Sequence, residues 1–144
     1  MVQMVDIGRK PLTSRVARAS GFIRLKRETL EKVVKGRIPK GDVFAVAQTA
    51  AIMAIKDTPK LIPLAHPISI TGADVKFKVR KEGIGVVVEV KSVGKTGVEM
   101  EALAGVAGAL LTIWDMVKAL EKDKAGQYPT TSIEEIRVLK KVKG

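Results

Sequence analysis

Apolar residues recur at helical spacing in two long stretches of the chain and alternate with charged residues in shorter ones. Val43, Phe44, Ala47, Ala50, Ala51, Ala54 and Ile55 fall on one face of a helix predicted over 43–56. Asp42 stands where an N-cap is needed, and so much alanine implies that another element packs closely against this face. Met100, Leu103, Ala107, Leu110, Leu111, Trp114 and Val117 lie in or near the apolar stripe of a longer helix over 98–121. A short helix over 29–35 is stopped near Gly36 and Pro39. Val75, Phe77 and Val79 alternate with Asp74, Lys76 and Lys78, the signature of a half-buried strand. Lys81-Glu82-Gly83 turns that strand into a second one over 84–93, and strands over 21–26 and 136–142 complete the set. The order β-α-α-β-β-α-β predicts an α+β sandwich of the split βαβ, ferredoxin-like kind, with helices packed on one face of an antiparallel sheet. Residues 1–20 are polar, basic and irregular and read as an N-terminal arm, which leaves 21–144 as a single domain.

Composition narrows the chemistry. The chain of 144 residues is 46% hydrophobic and 28% charged, enough for one well-filled core and too apolar for disorder. It contains no cysteine and one histidine, which removes disulfides, thiolate metal sites, iron–sulfur clusters and thiol catalysis. No metal site is expected within the chain. The N-terminus lacks the basic and apolar regions of a signal peptide. The longest uncharged apolar run, 102–114, is shorter than the roughly 20 residues a bilayer needs. A cytoplasmic protein with no membrane partner is the expectation. The net charge of +11 calls for an anionic partner. Nucleic acid is the first suspect, yet the only aromatics are Phe22, Phe44, Phe77, Trp114 and Tyr128, mostly on predicted core faces. Single-strand binders stack bases on exposed rings. A phosphorylated small molecule therefore competes well with RNA.

The richest segment is Gly94-Lys95-Thr96-Gly97-Val98-Glu99-Met100-Glu101-Ala102-Leu103. It lacks the glycine spacing of a P-loop, but backbone N–H groups at a helix start attract phosphate and Lys95 adds charge. Thr96 and Glu99 are spaced as a capping box, so Glu99 is either a cap or a ligand contact. Glu101 and Asp115 lie about 40° out of line around the helix and about 21 Å apart along it. Asp115 and Lys118 are an i, i+3 pair that reads either as a surface ion pair or as a site, with Trp114 and Met116 giving the acid an apolar setting. Lys40 precedes the Asp42 cap and, taken alone, is solvated punctuation, as are Arg15 and Arg18 in the arm. Lys56 ends its helix, where a cation complements the dipole. His66 sits in the apolar loop 61–69, whose Pro63 and Pro67 fix its direction.

Taken together, Met4-Val5-Asp6, Lys40-Gly41-Asp42-Val43-Phe44, Leu61-Ile62-Pro63-Leu64-Ala65-His66-Pro67, the segment 94–103 and Asp115-Met116-Val117-Lys118-Ala119 resemble the cyclic pyranopterin monophosphate synthase family (molybdenum cofactor biosynthesis protein C). The resemblance runs in order over nearly the whole chain. It implies a lyase that converts (8S)-3',8-cyclo-7,8-dihydroguanosine 5'-triphosphate into cyclic pyranopterin monophosphate with release of pyrophosphate. No cofactor is required for that step, although Mg²⁺ can accompany the triphosphate. It also implies a ferredoxin-like fold and a hexamer built as a trimer of dimers, with sites at dimer interfaces.

Carried over by position, Asp115 is the catalytic acid and Lys118 and Lys40 are the catalytic lysines. Leu64, Ala65 and His66 match the substrate loop, and Met100 and Glu101 the other binding segment. Lys56, Arg15, His66 and Lys141 match groups able to hold the triphosphate, and Glu101 or Glu99 can accept from the guanine-type N–H edge. The C-terminal tail stops short of the Gly-rich end common in the family, so Lys140 or Lys143 are alternatives to Lys141. The resemblance also leads us to expect a lowered pKa for a partly buried lysine among other cations. A basic RNA- or nucleotide-binding module without catalysis is the competing expectation.

Overall fold

The computed structural model describes residues 1–144. Its elements are β1 (Thr13–Arg24), α1 (Arg27–Val34), α2 (Val43–Lys56), α3 (Thr58–Leu61), β2 (Ile70–Arg80), β3 (Gly83–Gly94), α4 (Glu99–Glu121) and β4 (Ser132–Lys143). The strands form one sheet in the order β2-β3-β1-β4, and every neighbouring pair is antiparallel. This is the ferredoxin-like α+β arrangement that the element order predicts. The short helix α3 was not foreseen.

The first strand corrects the expected arm. It begins at Thr13 rather than at residue 21, so only residues 1–12 precede the sheet. Thr13 to Arg24 pair along their whole length with Gly94 to Gly83 of β3. Alternate residues Arg15, Ala17, Ala19, Gly21 and Ile23 are buried. Two alanines and an inward-facing arginine do not read as an apolar alternation, which is why the part of the strand before residue 21 reads as irregular.

The core lies between this sheet face and helices α2 and α4. Ala17, Ala19, Ile23, Val86, Val88 and Val90 meet Ala102, Val106, Ala109, Leu110 and Ile113, all at most 1% exposed. Helix α4 is long and apolar enough to span a bilayer, but its apolar side is spent on this sheet. Small residues set the layer spacing. A Cβ on Gly105 would sit 3.0 Å from Ile55 of α2, and one on Gly108 would sit 2.9 Å from Ala54, so α2 and α4 pack as closely as the alanine-rich sequence implies. The far end of α4 is fixed by Glu121, which is fully buried and accepts hydrogen bonds from the Lys26 N–H at 3.1 Å, the Thr131 hydroxyl at 2.7 Å and the Thr29 hydroxyl. That carboxylate ties the end of α4 to the start of α1.

The β2–β3 turn makes the most stringent demand on one residue. A Cβ on Gly83 would lie 1.9 Å from the backbone oxygen of Ile23, and backbone cannot step aside as a side-chain tip can. Gly83→Ala is expected to cost about 3 kcal/mol or more. Urea unfolding checks this, and a loss below about 1 kcal/mol is outside the expected range for overpacking.

Candidate functional site

Two clusters of ionisable groups lie at opposite ends of α4. Towards the C-terminal end, Asp115 faces outward and is flanked by two lysines. Lys118, one turn on, reaches one carboxylate oxygen at 3.0 Å. Lys40 reaches the other at 3.1 Å and also donates to the Asp115 backbone carbonyl at 2.9 Å. Lys40 is therefore no solvated punctuation. It stands in the turn before α2, where Gly41 adopts φ 121°, a conformation costly for any residue with a Cβ, and where Asp42 caps α2 by accepting from the Ala45 N–H at 3.1 Å. The turn thereby aims the lysine back at α4.

The electrostatics of this cluster follow from the pairing. Hydrogen bonds from Lys118 and Lys40, reinforced by their charges, hold the Asp115 carboxyl below the ordinary carboxylate range. Asp115 in turn raises the Lys118 ammonium above the ordinary lysine value. This reverses the expectation of a lowered lysine pKa at that position, because the nearest neighbour is an anion. The apolar setting expected for Asp115 is also absent. Its side chain is 60% exposed, since Met116 turns into the core while Asp115 turns out.

At the N-terminal end of α4 a cavity of about 460 Å³ opens between the helix start, the 61–69 loop and the N-terminal segment. Leu64, Ala65, His66, Glu99, Met100 and Glu101 all line it, so the structure brings together both binding segments expected from the sequence. Gln3, Val5, Ile7 and Lys10 supply a wall that sequence reasoning did not assign. Two contacts hold this wall. His66 Nε2 is 2.6 Å from the Val5 carbonyl, and Lys95 donates to the Gly8 carbonyl at 3.0 Å. A carbonyl only accepts, so in the neutral ring Nε2 carries the hydrogen and Nδ1 is left as the acceptor.

Glu99 and two further candidates, Lys141 and Arg15, are placed as follows. Glu99 forms an ion pair with Lys141 of β4 at 3.3 Å, while its other carboxylate oxygen is buried without a partner. Among the three C-terminal lysines considered, Lys141 is the one in contact with the helix start. Arg15 is only 8% exposed rather than solvated, and its Nε and Nη2 have no hydrogen-bond partner. The expected capping box does not form. Val98 occupies the N-cap position with no side-chain cap, and Glu99 is committed to Lys141 instead. Lys56 ends α2 and is exposed. It does not line the cavity, although neighbouring Ile55 packs on Gly105, one turn beyond Glu101.

Glu101 is 3% exposed, and burial raises its carboxyl pKa, with the charge of Glu99 adding to the effect and a backbone hydrogen bond opposing it. The folded state thus holds this proton more tightly than the unfolded chain. Its contribution to stability is present below the ordinary carboxylate value and is lost as pH rises through the folded value. As pH rises above the ordinary carboxylate value, ionisation increasingly favours the unfolded chain. Glu101→Gln is expected to raise the Tm at pH 7 and to gain less at pH 4, measured by calorimetry; a lower Tm at pH 7 contradicts the assignment.

Fold and site together define a ferredoxin-like α+β protein with a cavity at one end of its central helix and a Lys–Asp–Lys cluster at the other. Comparison with known proteins identifies it further. The chain belongs to the MoaC family, whose family model matches residues 4–144. It is 58% identical over 142 residues to a probable cyclic pyranopterin monophosphate synthase of Methanosarcina mazei, covering 99% of this chain and 90% of that protein. Proteins with the same description from Thermococcus kodakarensis and Aeropyrum pernix are 57% and 56% identical, covering 99% and 98% of this chain and 92% and 97% of theirs.

Proposed function

We propose that this protein is a cyclic pyranopterin monophosphate synthase of molybdenum cofactor biosynthesis. It takes (8S)-3',8-cyclo-7,8-dihydroguanosine 5'-triphosphate and yields cyclic pyranopterin monophosphate and pyrophosphate. The observation that carries this reading is the Lys40–Asp115–Lys118 cluster in a chain similar along its length to proteins named for that reaction.

The chemistry asks for what these residues offer. The product is a cyclic phosphate, so the α-phosphorus exchanges its bond to pyrophosphate for one to a hydroxyl of the same molecule. A base takes the hydroxyl proton, and cations stabilise charge on the leaving pyrophosphate. Ring opening and re-closure in the purine need further proton donors and acceptors. Asp115, Lys118 and Lys40 are assigned these transfers, with the Lys118 ammonium as acid and the Asp115 carboxylate orienting it. Arg15, Lys141 and His66 hold the triphosphate, and Lys56, outside the cavity of its own chain, is left without a role in it. Leu64, Ala65 and Met100 shape the pocket for the ring system, while Glu101 or Glu99 accepts from its N–H edge. No cofactor is part of this reading, although Mg²⁺ can accompany the triphosphate.

The two clusters cannot act on one molecule within one chain. Glu101 and Asp115 are separated along α4 by about 21 Å, and acid–base groups must lie within hydrogen-bond reach of the reacting atoms. We therefore assign the active site to an interface between protomers, the cavity of one facing the Lys–Asp–Lys cluster of another, in a cytoplasmic hexamer built from dimers.

The test is turnover. Purified protein supplied with the cyclised dihydro-GTP is expected to release pyrophosphate and the pterin monophosphate in equal amounts, followed by mass spectrometry. Binding without turnover would leave a nucleotide-binding protein on this scaffold.

A further inference from the structure

Trp114 and Tyr128 meet edge to face, with ring centroids 5.1 Å apart and planes at 66°. Such a pair adds about 1 kcal/mol beyond the area it buries. The chain takes a detour to make this contact. Helix α4 runs on from Trp114 for about 10 Å before it ends at Glu121, so the following loop has to double back. A tight turn does this. The Asp123 carboxylate accepts from the Ala125 and Gln127 N–H groups, each at 2.9 Å, the Asp123 N–H donates to the Gln127 carbonyl at 2.8 Å, and Gly126 takes φ 78°. Tyr128 itself is half-buried and lies outside the hydrophobic core. Trp114 and Lys118 are four residues apart and share one face of α4. The aromatic pair therefore stands beside Lys118, whose ammonium is 3.0 Å from Asp115. The Tyr128 phenol is near enough for its charge to bear on that ammonium.

We infer that Tyr128 is a positioning residue for Lys118: its ring, braced by Trp114, walls one side of the Lys–Asp–Lys cluster and holds the ammonium against Asp115. The inference deepens the proposed function and rests on the acid role given there to Lys118. An exposed lysine and aspartate on a helix form a weak pair, because the long side chain gives up rotamer freedom to join it. A wall beside the side chain removes rotamers in advance, so less is lost when the pair forms. Lys40 has two acceptors on Asp115, the carboxylate and the backbone carbonyl. Lys118 has the carboxylate alone, and so depends more on its surroundings. The precision matters, since a misplacement of about 1 Å can cost about a hundredfold in rate.

Two measurements test this. In steady-state turnover, Tyr128→Ala is expected to lower kcat by about tenfold or more with KM within about twofold, the signature of a group that acts on the chemical step. Tyr128→Phe keeps the ring and is expected to restore most of that loss. Both variants should fold, because Tyr128 lies outside the core. A merely structural role would lower Tm and leave kcat of the folded protein as it was. Unchanged kcat in Tyr128→Ala, with wild-type protein active, overturns the inference while leaving the proposed function standing. Equal losses in Tyr128→Ala and Tyr128→Phe also overturn it, because the hydroxyl and not the ring would then be at work. The second measurement needs no turnover. NMR titration of the Lys118 side chain, its signal identified by its disappearance in Lys118→Arg, is expected to place it above the ordinary lysine value in wild type and in Tyr128→Phe. In Tyr128→Ala it should fall back towards the ordinary value, because the Asp115 hydrogen bond that raises it is weakened. An unmoved Lys118 titration in folded Tyr128→Ala overturns the positioning role, whether or not the protein turns over the substrate.

Discussion

Asp115→Ala and Lys118→Ala each leave a folded protein whose kcat falls by about three orders of magnitude, the middle of the range for a positioned acid–base group. Both side chains are substantially exposed, so their removal opens no cavity and should change Tm little. The expected loss is larger than for an ordinary surface ion pair because Asp115 and Lys118 set one another's protonation. Without Asp115, Lys118 loses the neighbour that raises its pKa and orients its ammonium. Without Lys118, Asp115 retains Lys40, so its charge persists but the proton donor is gone. Lys118→Arg separates charge from proton transfer, since a guanidinium keeps the ion pair and does not give up its proton. It should pair with Asp115 and remain inactive. Near-wild-type turnover in Asp115→Ala would remove this cluster from the mechanism.

The second large effect appears when two inactive proteins are mixed. If the cavity of one protomer faces the Lys–Asp–Lys cluster of another, His66→Ala damages one half of every site and Lys118→Ala the other. Each homo-oligomer is inactive. After joint unfolding and refolding of an equal mixture, a dimer with one chain of each kind holds one intact site and one doubly damaged site. Random pairing makes half the dimers mixed, so about one quarter of wild-type activity returns. A site contained in one chain gives no recovery at all. The gain from near zero to about a quarter is large enough that a simple pyrophosphate assay reads it.

Much of this arrangement was legible in the sequence, and what escaped did so for physical reasons. Helices α2 and α4 and the β2–β3 hairpin carry strong periodic signals because each buries one face only. The Asp115–Lys118 pair follows from helix geometry alone. Lys40, by contrast, meets Asp115 across 75 residues of chain, and no local pattern announces such a contact. The part of β1 before residue 21 was hidden by Ala17 and Ala19, small residues buried in the core, and by Arg15, a charge turned into the fold. The exposure of Asp115 was misread because its neighbours in sequence are apolar, although successive helical residues point about 100° apart.

The most direct measurement is a side-by-side assay of wild type and Lys118→Ala on the cyclised dihydro-GTP, with pyrophosphate and the pterin monophosphate quantified together. Equal yields of both products from wild type, and loss of both in the variant, are the predicted result. Absence of product from folded wild-type protein supplied with intact substrate would contradict the synthase assignment. Undiminished product from Lys118→Ala would contradict the placement of its chemistry on α4.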